Sequence, residues 1–192
     1  MDHPFRLSAI HNLNLLARFH NDMSQLLHDA KDIIWEELEP REAQRRVHLY
    51  ETDFSKKLRN SVFLMVFGHL EEMLLQLLSQ ITPEIYARQS NSNLLTRCKP
   101  MFMKVLGENP DRECPSLKYI KDASRVRNAL IHSSGNVHLM RNPETIEGIV
   151  RANSADYEIY IQRVSVTRQG LKNMIIHTRT LVEDVGRNLE LP

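Results

Sequence analysis

Arg127, Asn128 and His132 fall within one run of six residues, Arg127-Asn128-Ala129-Leu130-Ile131-His132. A guanidinium, a carboxamide and an imidazole at this spacing suit chemistry on a phosphodiester. The guanidinium can hold two phosphate oxygens at once and stabilise charge that builds on them. An unperturbed imidazole titrates near about pH 6.5, so it can take or supply a proton under ordinary conditions. The carboxamide can orient the phosphate or the imidazole by hydrogen bonding. RNA is the substrate that such a set fits, because its 2′-hydroxyl is already the nucleophile. Cleavage then needs proton transfer and charge stabilisation more than a metal.

These side chains need a helix to hold them. Pro115 suits a first helical position and Gly135 the left-handed turn after a last one, which predicts a helix over Pro115–Ser133. At about 100° per residue, Ile120 and Ile131 fall within about 40° of Arg127 on one side, and Ala123 and Leu130 within about 60° on the other. Arg127 thus sits in the apolar stripe, whereas His132 lies about 140° away, with Lys121, Arg125 and Asn128 on a polar face. A guanidinium stays charged in proteins, so one that faces a core must be paired or must reach a cleft. On an earlier helix the stripe Leu64, Phe67, Leu74, Leu75 and Leu78 contains Glu71, while Glu72 points to the polar side with Ser61 and Gln76. Glu71 and Arg127 are therefore expected to meet. A plainer account of the same residues is a salt bridge that fixes helix register, plus a histidine that gains from the dipole of a last helical turn. Lys121 and Arg125 are candidate RNA phosphate contacts, with Arg45, Arg46, Lys56 and Lys57 as more distant ones. Solvated surface charge is the plainer account of each.

At 192 residues the chain can bury a proper core as one domain, and 42% hydrophobic with 26% charged residues is ordinary globular composition. A net charge of +1 creates no global field toward nucleic acid or membrane, so any basic site must be assembled locally by folding. Cys98 and Cys114 have neither metal-ligand spacing nor a disulfide framework, and read as buried thiols of a cytoplasmic protein. No signal-peptide core is present, and no apolar run reaches the length of a bilayer span, so no membrane partner is expected. Aromatic residues at 6% leave little for base stacking. A Gly-rich phosphate loop, a nucleophile elbow and a zinc knuckle are all missing, and His69 with Glu72 lacks the second histidine of a zinc-protease motif. His3, His11, His20, His28 and His48 are scattered, which favours exposed histidines over a metal site. Neither a metal nor a cofactor is expected.

Apolar residues recur at helical spacing from Ser8, a suitable N-cap, to Glu37, and Pro40 closes that helix. A second helical pattern covers residues 41–81, with a bend at Glu51-Thr52-Asp53; the short turn between the two makes them antiparallel. Loops are expected at Ser90-Asn91-Ser92-Asn93 and at residues 107–111, with a short helix over 100–106 between them. Tyr157, Ile159 and Ile161 alternate with Glu158, Tyr160 and Gln162, the period of a strand. Pairing with residues 146–151 across Asn153-Ser154-Ala155-Asp156 would make a small hairpin; the alternative is an irregular surface excursion. A last helix is expected over 167–188. The expected fold is all-α: a single domain over 1–192, an antiparallel helical bundle with two long N-terminal helices and room for that hairpin before the last helix.

Arg127-Asn128, three further residues and His132, with Gly135 shortly after, resemble the signature of the HEPN superfamily. Phe67-Gly68-His69-Leu70-Glu71-Glu72-Met73-Leu74 is similar to the family's second-helix pattern, in which Glu71 takes the glutamate position. The resemblance implies a helical bundle and a metal-independent endoribonuclease. It further implies a homodimer in which the motifs of two copies face each other across one cleft, a toxin or phage-defence role, and a neighbouring antitoxin protein as a further partner. The expected products are 2′,3′-cyclic phosphate and 5′-hydroxyl ends. Other members bind RNA, nucleotides or proteins without catalysis. In one subset a Tyr follows the His by two residues; here Ser134 stands there, so control through that Tyr is not implied. A helical dimerisation scaffold is the remaining alternative.

Overall fold

The computed structural model describes residues 4–87 and 93–188. Helix α1 (Pro4–Glu37) is already helical ahead of Ser8, from Pro4 among the described residues, because no breaker separates the two. Leu38 and Glu39 make the turn, and Pro40 opens α2 (Pro40–Leu49). Through one π turn (Tyr50–Phe54) α2 continues into α3 (Ser55–Ile81). The bend expected at Glu51-Thr52-Asp53 is thus a widened turn inside one continuous helix. Hydroxyls take up carbonyls around it: Thr52 Oγ1 donates to His48 O at 2.7 Å and Ser55 Oγ to Tyr50 O at 2.8 Å. One 18-residue window of Pro40–Ile81 reaches a mean hydropathy of 1.4, enough by length and composition to cross a bilayer, which the sequence analysis does not anticipate. Half of that window is buried in the bundle, where α1 and two later helices, Pro115–Ser133 and Arg168–Asn188, pack on α3.

Short helices follow: α4 (Pro83–Tyr86), α5 (Leu94–Arg97), α6 (Lys99–Leu106) and α7 (Pro110–Glu113). The loop expected at Ser90-Asn91-Ser92 lies outside the described residues. The one expected over 107–111 yields to α7 at Pro110, another proline in a first helical turn. The motif helix α8 (Pro115–Ser133) keeps the bounds that Pro115 and Gly135 imply. Its exit is left-handed at both Ser134 (φ 49°) and Gly135 (φ 79°). A Cβ on Gly135 would approach Val164 O to 2.8 Å, so glycine is required there by space as well as by conformation.

Residues 146–151 form no strand. After a 3-10 turn (Val137–Leu139) they belong to α9 (Pro143–Ala152), where Ile146, Ile149 and Val150 keep the spacing i, i+3, i+4 behind Pro143. The hairpin exists with a different partner: β1 (Tyr157–Tyr160) pairs antiparallel with β2 (Arg163–Val166), Tyr157 opposite Val166 and Tyr160 opposite Arg163. Its turn is Ile161-Gln162, with φ of 46° and 62°, a two-residue turn that ordinarily takes Asn-Gly. Helix α10 (Arg168–Asn188) closes the described chain, capped by Thr167, whose Oγ1 accepts from Gly170 N at 2.9 Å. Buried side chains of α1, α3, α6, α8, α10 and both strands share one core, with Leu13, Phe63, Leu70, Phe102, Ile120 and Val166 among its members. Tyr157 anchors the hairpin in it, edge-on to Phe63 with ring centroids 6.3 Å apart. The fold is all-α with a two-strand hairpin before the last helix.

A β-branched residue held at positive φ costs roughly 1–2 kcal/mol. Replacing the turn by Ile161→Asn with Gln162→Gly should therefore stabilise the protein by about 1 kcal/mol. A urea unfolding midpoint that rises at constant slope is the expected readout; an unchanged midpoint would mean that the turn carries no such strain.

Candidate functional site

Val126 and Ala129 of α8 and Phe67, Leu70 and Leu74 of α3 are buried, and packing those faces together fixes where the charged residues beside them go. Arg127 Nη2 donates to Glu71 Oε2 at 3.1 Å, the contact that two charges on apolar stripes lead one to expect. Arg127 Nη1 donates to Asn128 Oδ1, also at 3.1 Å. The Arg127 and Glu71 side chains are 26% and 38% exposed, so the pair stands at the mouth of a cleft and not inside the core. Glu72, Ser61 and Gln76 are exposed, as their helical positions require. Ile131, expected in the covered stripe with Arg127, is 46% exposed; the last turn of α8 is covered less than the projection implies.

The cleft encloses about 290 Å³ between Phe67, Leu70, Glu71 and Leu74 of α3, Ser124, Arg127 and Asn128 of α8, and Asn93, Leu94 and Leu95 around α5. The α5 wall is not legible in the sequence. Its four residues are too few to show a period, although Asn93 is a recognisable N-cap whose Oδ1 accepts from Leu95 N at 2.9 Å. The two bonds of Arg127 leave further guanidinium N–H donors for an oxyanion entering the cleft.

His132 is not in the cleft. It is exposed in the last turn of α8, about 7.5 Å along and about 140° round the helix from Arg127, and among the described residues it makes no hydrogen bond or ion pair. One chain therefore does not bring the guanidinium and the imidazole to one point. The segment after His132 is nevertheless held firmly by the hairpin. Arg163 Nη1 donates to Ser134 O at 2.8 Å, Val164 N to Gly135 O at 2.9 Å and Val137 N to Gln162 O at 2.9 Å.

The cations proposed for RNA are mostly engaged. Lys121 Nζ is 2.5 Å from Asp111 Oδ1 and Arg125 Nη1 2.8 Å from Asp122 Oδ1. Arg46 pairs with Glu42 at 3.4 Å, and Lys56 pairs with Glu158 at 3.2 Å while lying over the Tyr160 ring. Of the histidines considered for a metal, His11, His28 and His48 are exposed and His20 is buried, and His3 lies outside the described residues. Among the described residues no three His, Cys, Asp or Glu side chains converge. A serine–histidine contact that the sequence does not announce joins α8 to α10: Ser116 Oγ lies 3.0 Å from His177 Nδ1, with Tyr119 stacked on the imidazole. Ser116 is only 5% exposed, which gives a substrate no approach to its hydroxyl.

Burial holds His177 below the ordinary imidazole range, partly offset by Asp156. His20 is lowered by burial too; a hydrogen bond to Asn21 opposes this, and Arg168 and Arg59 add to it. The unfolded imidazoles therefore take up protons first. Stability is full above about pH 6.5 and falls as pH drops through that value. Urea midpoints near about pH 7.5 and about pH 5.5 should differ in that direction, and His177→Gln should reduce the difference. Because both partners of the Arg127–Glu71 pair are at least a quarter exposed, Glu71→Ala should cost under about 1 kcal/mol and leave the helical circular dichroism intact. A larger loss would assign the pair to holding the bundle together.

Comparison of the chain with protein-family models, with curated proteins and with solved structures finds no match.

Proposed function

We propose that the protein is a metal-independent endoribonuclease whose site is completed by two copies of the chain, each supplying Arg127, Asn128 and His132. The observation that carries this reading is the pairing of Arg127 with Glu71 at an open cleft, with guanidinium donors left over, on the same helix as an exposed His132 that has no hydrogen-bond partner among the described residues. The Glu71–Arg127 contact between an early long helix and a late helix also supports the HEPN resemblance, on which the toxin or phage-defence role and a partner antitoxin rest.

The chemistry is a transesterification. One imidazole takes the proton of a ribose 2′-hydroxyl as that oxygen attacks the adjacent phosphorus. The bond from phosphorus to the 5′-oxygen breaks, and the second copy's imidazole returns a proton to that oxygen. Arg127 stabilises the charge on the phosphoryl oxygens, Glu71 keeps the guanidinium aimed, and Asn128 orients it through its carbonyl. The ends left are a 2′,3′-cyclic phosphate and a 5′-hydroxyl. An apolar set around the His132 end of α8 suits burial against a second copy: Ile131 and Leu139 are 46% and 73% exposed, and Tyr160 and Ile161 at the hairpin tip 63% and 74%.

A second reading, a non-catalytic module that binds RNA, a nucleotide or a protein in the same cleft, is favoured by one observation. Within one chain His132 lies outside the cleft that holds Arg127.

The test is incubation of purified protein with total RNA and mapping of the ends. Parent protein should leave cyclic-phosphate ends at a rate indifferent to EDTA. His132→Ala should slow cleavage by roughly 10²–10⁴-fold, and a strictly monomeric parent should be inactive. Cleavage by His132→Ala at the parental rate would overturn the proposal; retention of RNA by a parent that cuts none would establish the second reading.

A further inference from the structure

Two adjoining depressions form one groove bounded by α1, α3 and α10. The wider, of about 850 Å³, runs between α1 and α10; the narrower, of about 330 Å³, reaches in to α3. They share His20, Ser24, His28 and Arg168, so they are continuous. Arg59, which lines the inner end, lies about 18 Å along α3 from Glu71 and about 120° round it, so this groove is separate from the Arg127 cleft.

Its charge is lopsided. Arg168, Lys172 and Arg179 line the α10 side, and Arg59 and Lys31 line the inner end, against one carboxylate. That carboxylate, Glu51, is taken by Lys31 at 2.9 Å. In a chain of net charge +1 this is a strong local concentration of cations. Arg168 and Lys172 are exposed, and among the described residues neither enters a hydrogen bond or an ion pair. Arg59 is fixed in place through Nε to Val166 O at 2.9 Å. Arg179 reaches Asn14 through Nη2 but leaves its buried Nε without a partner among the described residues. The positive fields converge. Beyond the effect of burial, Arg168 and Arg59 both depress His20, and Arg168 also disfavours the charge on Arg59, which burial weakens and Glu158 supports. An anion in the groove would relieve that repulsion.

The dimensions select a polymer. From Arg168 to Arg179 is about 16 Å along α10, whereas a strand in a duplex advances about 3.4 Å per nucleotide. A single phosphate could engage only one end of such a row. We propose that this groove is a track for the phosphodiester backbone of RNA several nucleotides long, distinct from the cleft where Arg127 stands. The choice of RNA among polyanions rests on the nuclease reading above; the polyanion assignment rests on the groove.

The test is the binding of a fluorescein-labelled single-stranded RNA of about twelve nucleotides, followed by anisotropy over a range of salt concentrations. His132→Ala serves as the parent here, so that nothing is cut. Arg168→Glu with Lys172→Glu in that background should weaken binding at least about tenfold at low salt and make the slope of log K against log salt shallower by about 1.4. An acidic residue in the first turn of α10 is favoured by the helix dipole, so the variant should fold, and its thermal midpoint checks this. Unchanged affinity and slope in the variant would overturn the track. So would inorganic phosphate competing as well as the oligonucleotide, which marks a single-anion site. A poly-glutamate peptide that binds as tightly as RNA, with the same dependence on Arg168 and Lys172, would also overturn it in favour of an acidic protein partner. The two proposals fail separately. A protein that cleaves RNA with a KM indifferent to the double charge reversal keeps the nuclease and loses the track. One that binds RNA through Arg168 and Lys172 but cuts none keeps the track and loses the nuclease.

Discussion

An arginine cannot shed its charge, so a helix that turns one toward its neighbour's apolar face must be given a carboxylate or opened to water. Arg127 has both. Glu71 takes one of its nitrogens, and the cleft beside α5 leaves the rest of the group reachable. Full burial of the pair would carry a desolvation cost that its Coulomb attraction need not repay; full exposure would leave the guanidinium free to wander. Partial exposure keeps it oriented by Glu71 and Asn128 while leaving donors for a ligand. The packing of α8 on α3 thus places the pair, and the pair in turn holds the guanidinium at the mouth of the cleft.

The other fixed point is the exit from α8. Two left-handed residues, Ser134 and Gly135, turn the chain sharply, and β2 lies so close to Gly135 that a side chain would collide with Val164 O. The hairpin is held from its other end by Tyr157 in the core against Phe63 and by Thr167 and Gly170 at the start of α10. Through these contacts the rigid bundle dictates where the last turn of α8, and with it His132, is presented. His132, which makes no hydrogen bond among the described residues, gains a defined position from the backbone that follows it.

What was legible in the sequence follows from the range of the forces involved. Long amphipathic helices announce themselves because burial repeats every turn, and α1, α3, α8 and α10 were readable for that reason. The Glu71–Arg127 contact was readable because two charges on apolar stripes have few ways to be satisfied. Ser8 does not cap α1, because a residue of good capping type leaves a helix unbroken where no breaker precedes it, and the described helix already includes Pro4. The hairpin partner was misassigned because the residues that form its turn, Ile161 and Gln162, lack the glycine or asparagine that marks positive φ; the Asn153-Ser154-Ala155-Asp156 stretch looks more turn-like but links α9 to β1. Lys121 and Arg125 looked available because their partners Asp111 and Asp122 add nothing to a periodic pattern.

The groove between α1 and α10 illustrates a limit of a different kind. Its cations come from residues 31, 59, 168, 172 and 179, and no window of the chain contains more than three of them. Net charge cannot reveal them either, since carboxylates elsewhere cancel the sum. Some of those carboxylates are paired on their own helices, as Asp122 is with Arg125, Glu42 with Arg46 and Asp184 with Arg187. Local pairing of this kind removes both signs from the long-range field at once. Arg59, Arg168, Lys172 and Arg179 have no ion-pair partner among the described residues, and folding gathers these four, with Lys31, along one groove away from Arg127. On the proposed reading, a chain of almost zero net charge keeps the grip on a polyanion and the chemistry on its phosphate at two different places.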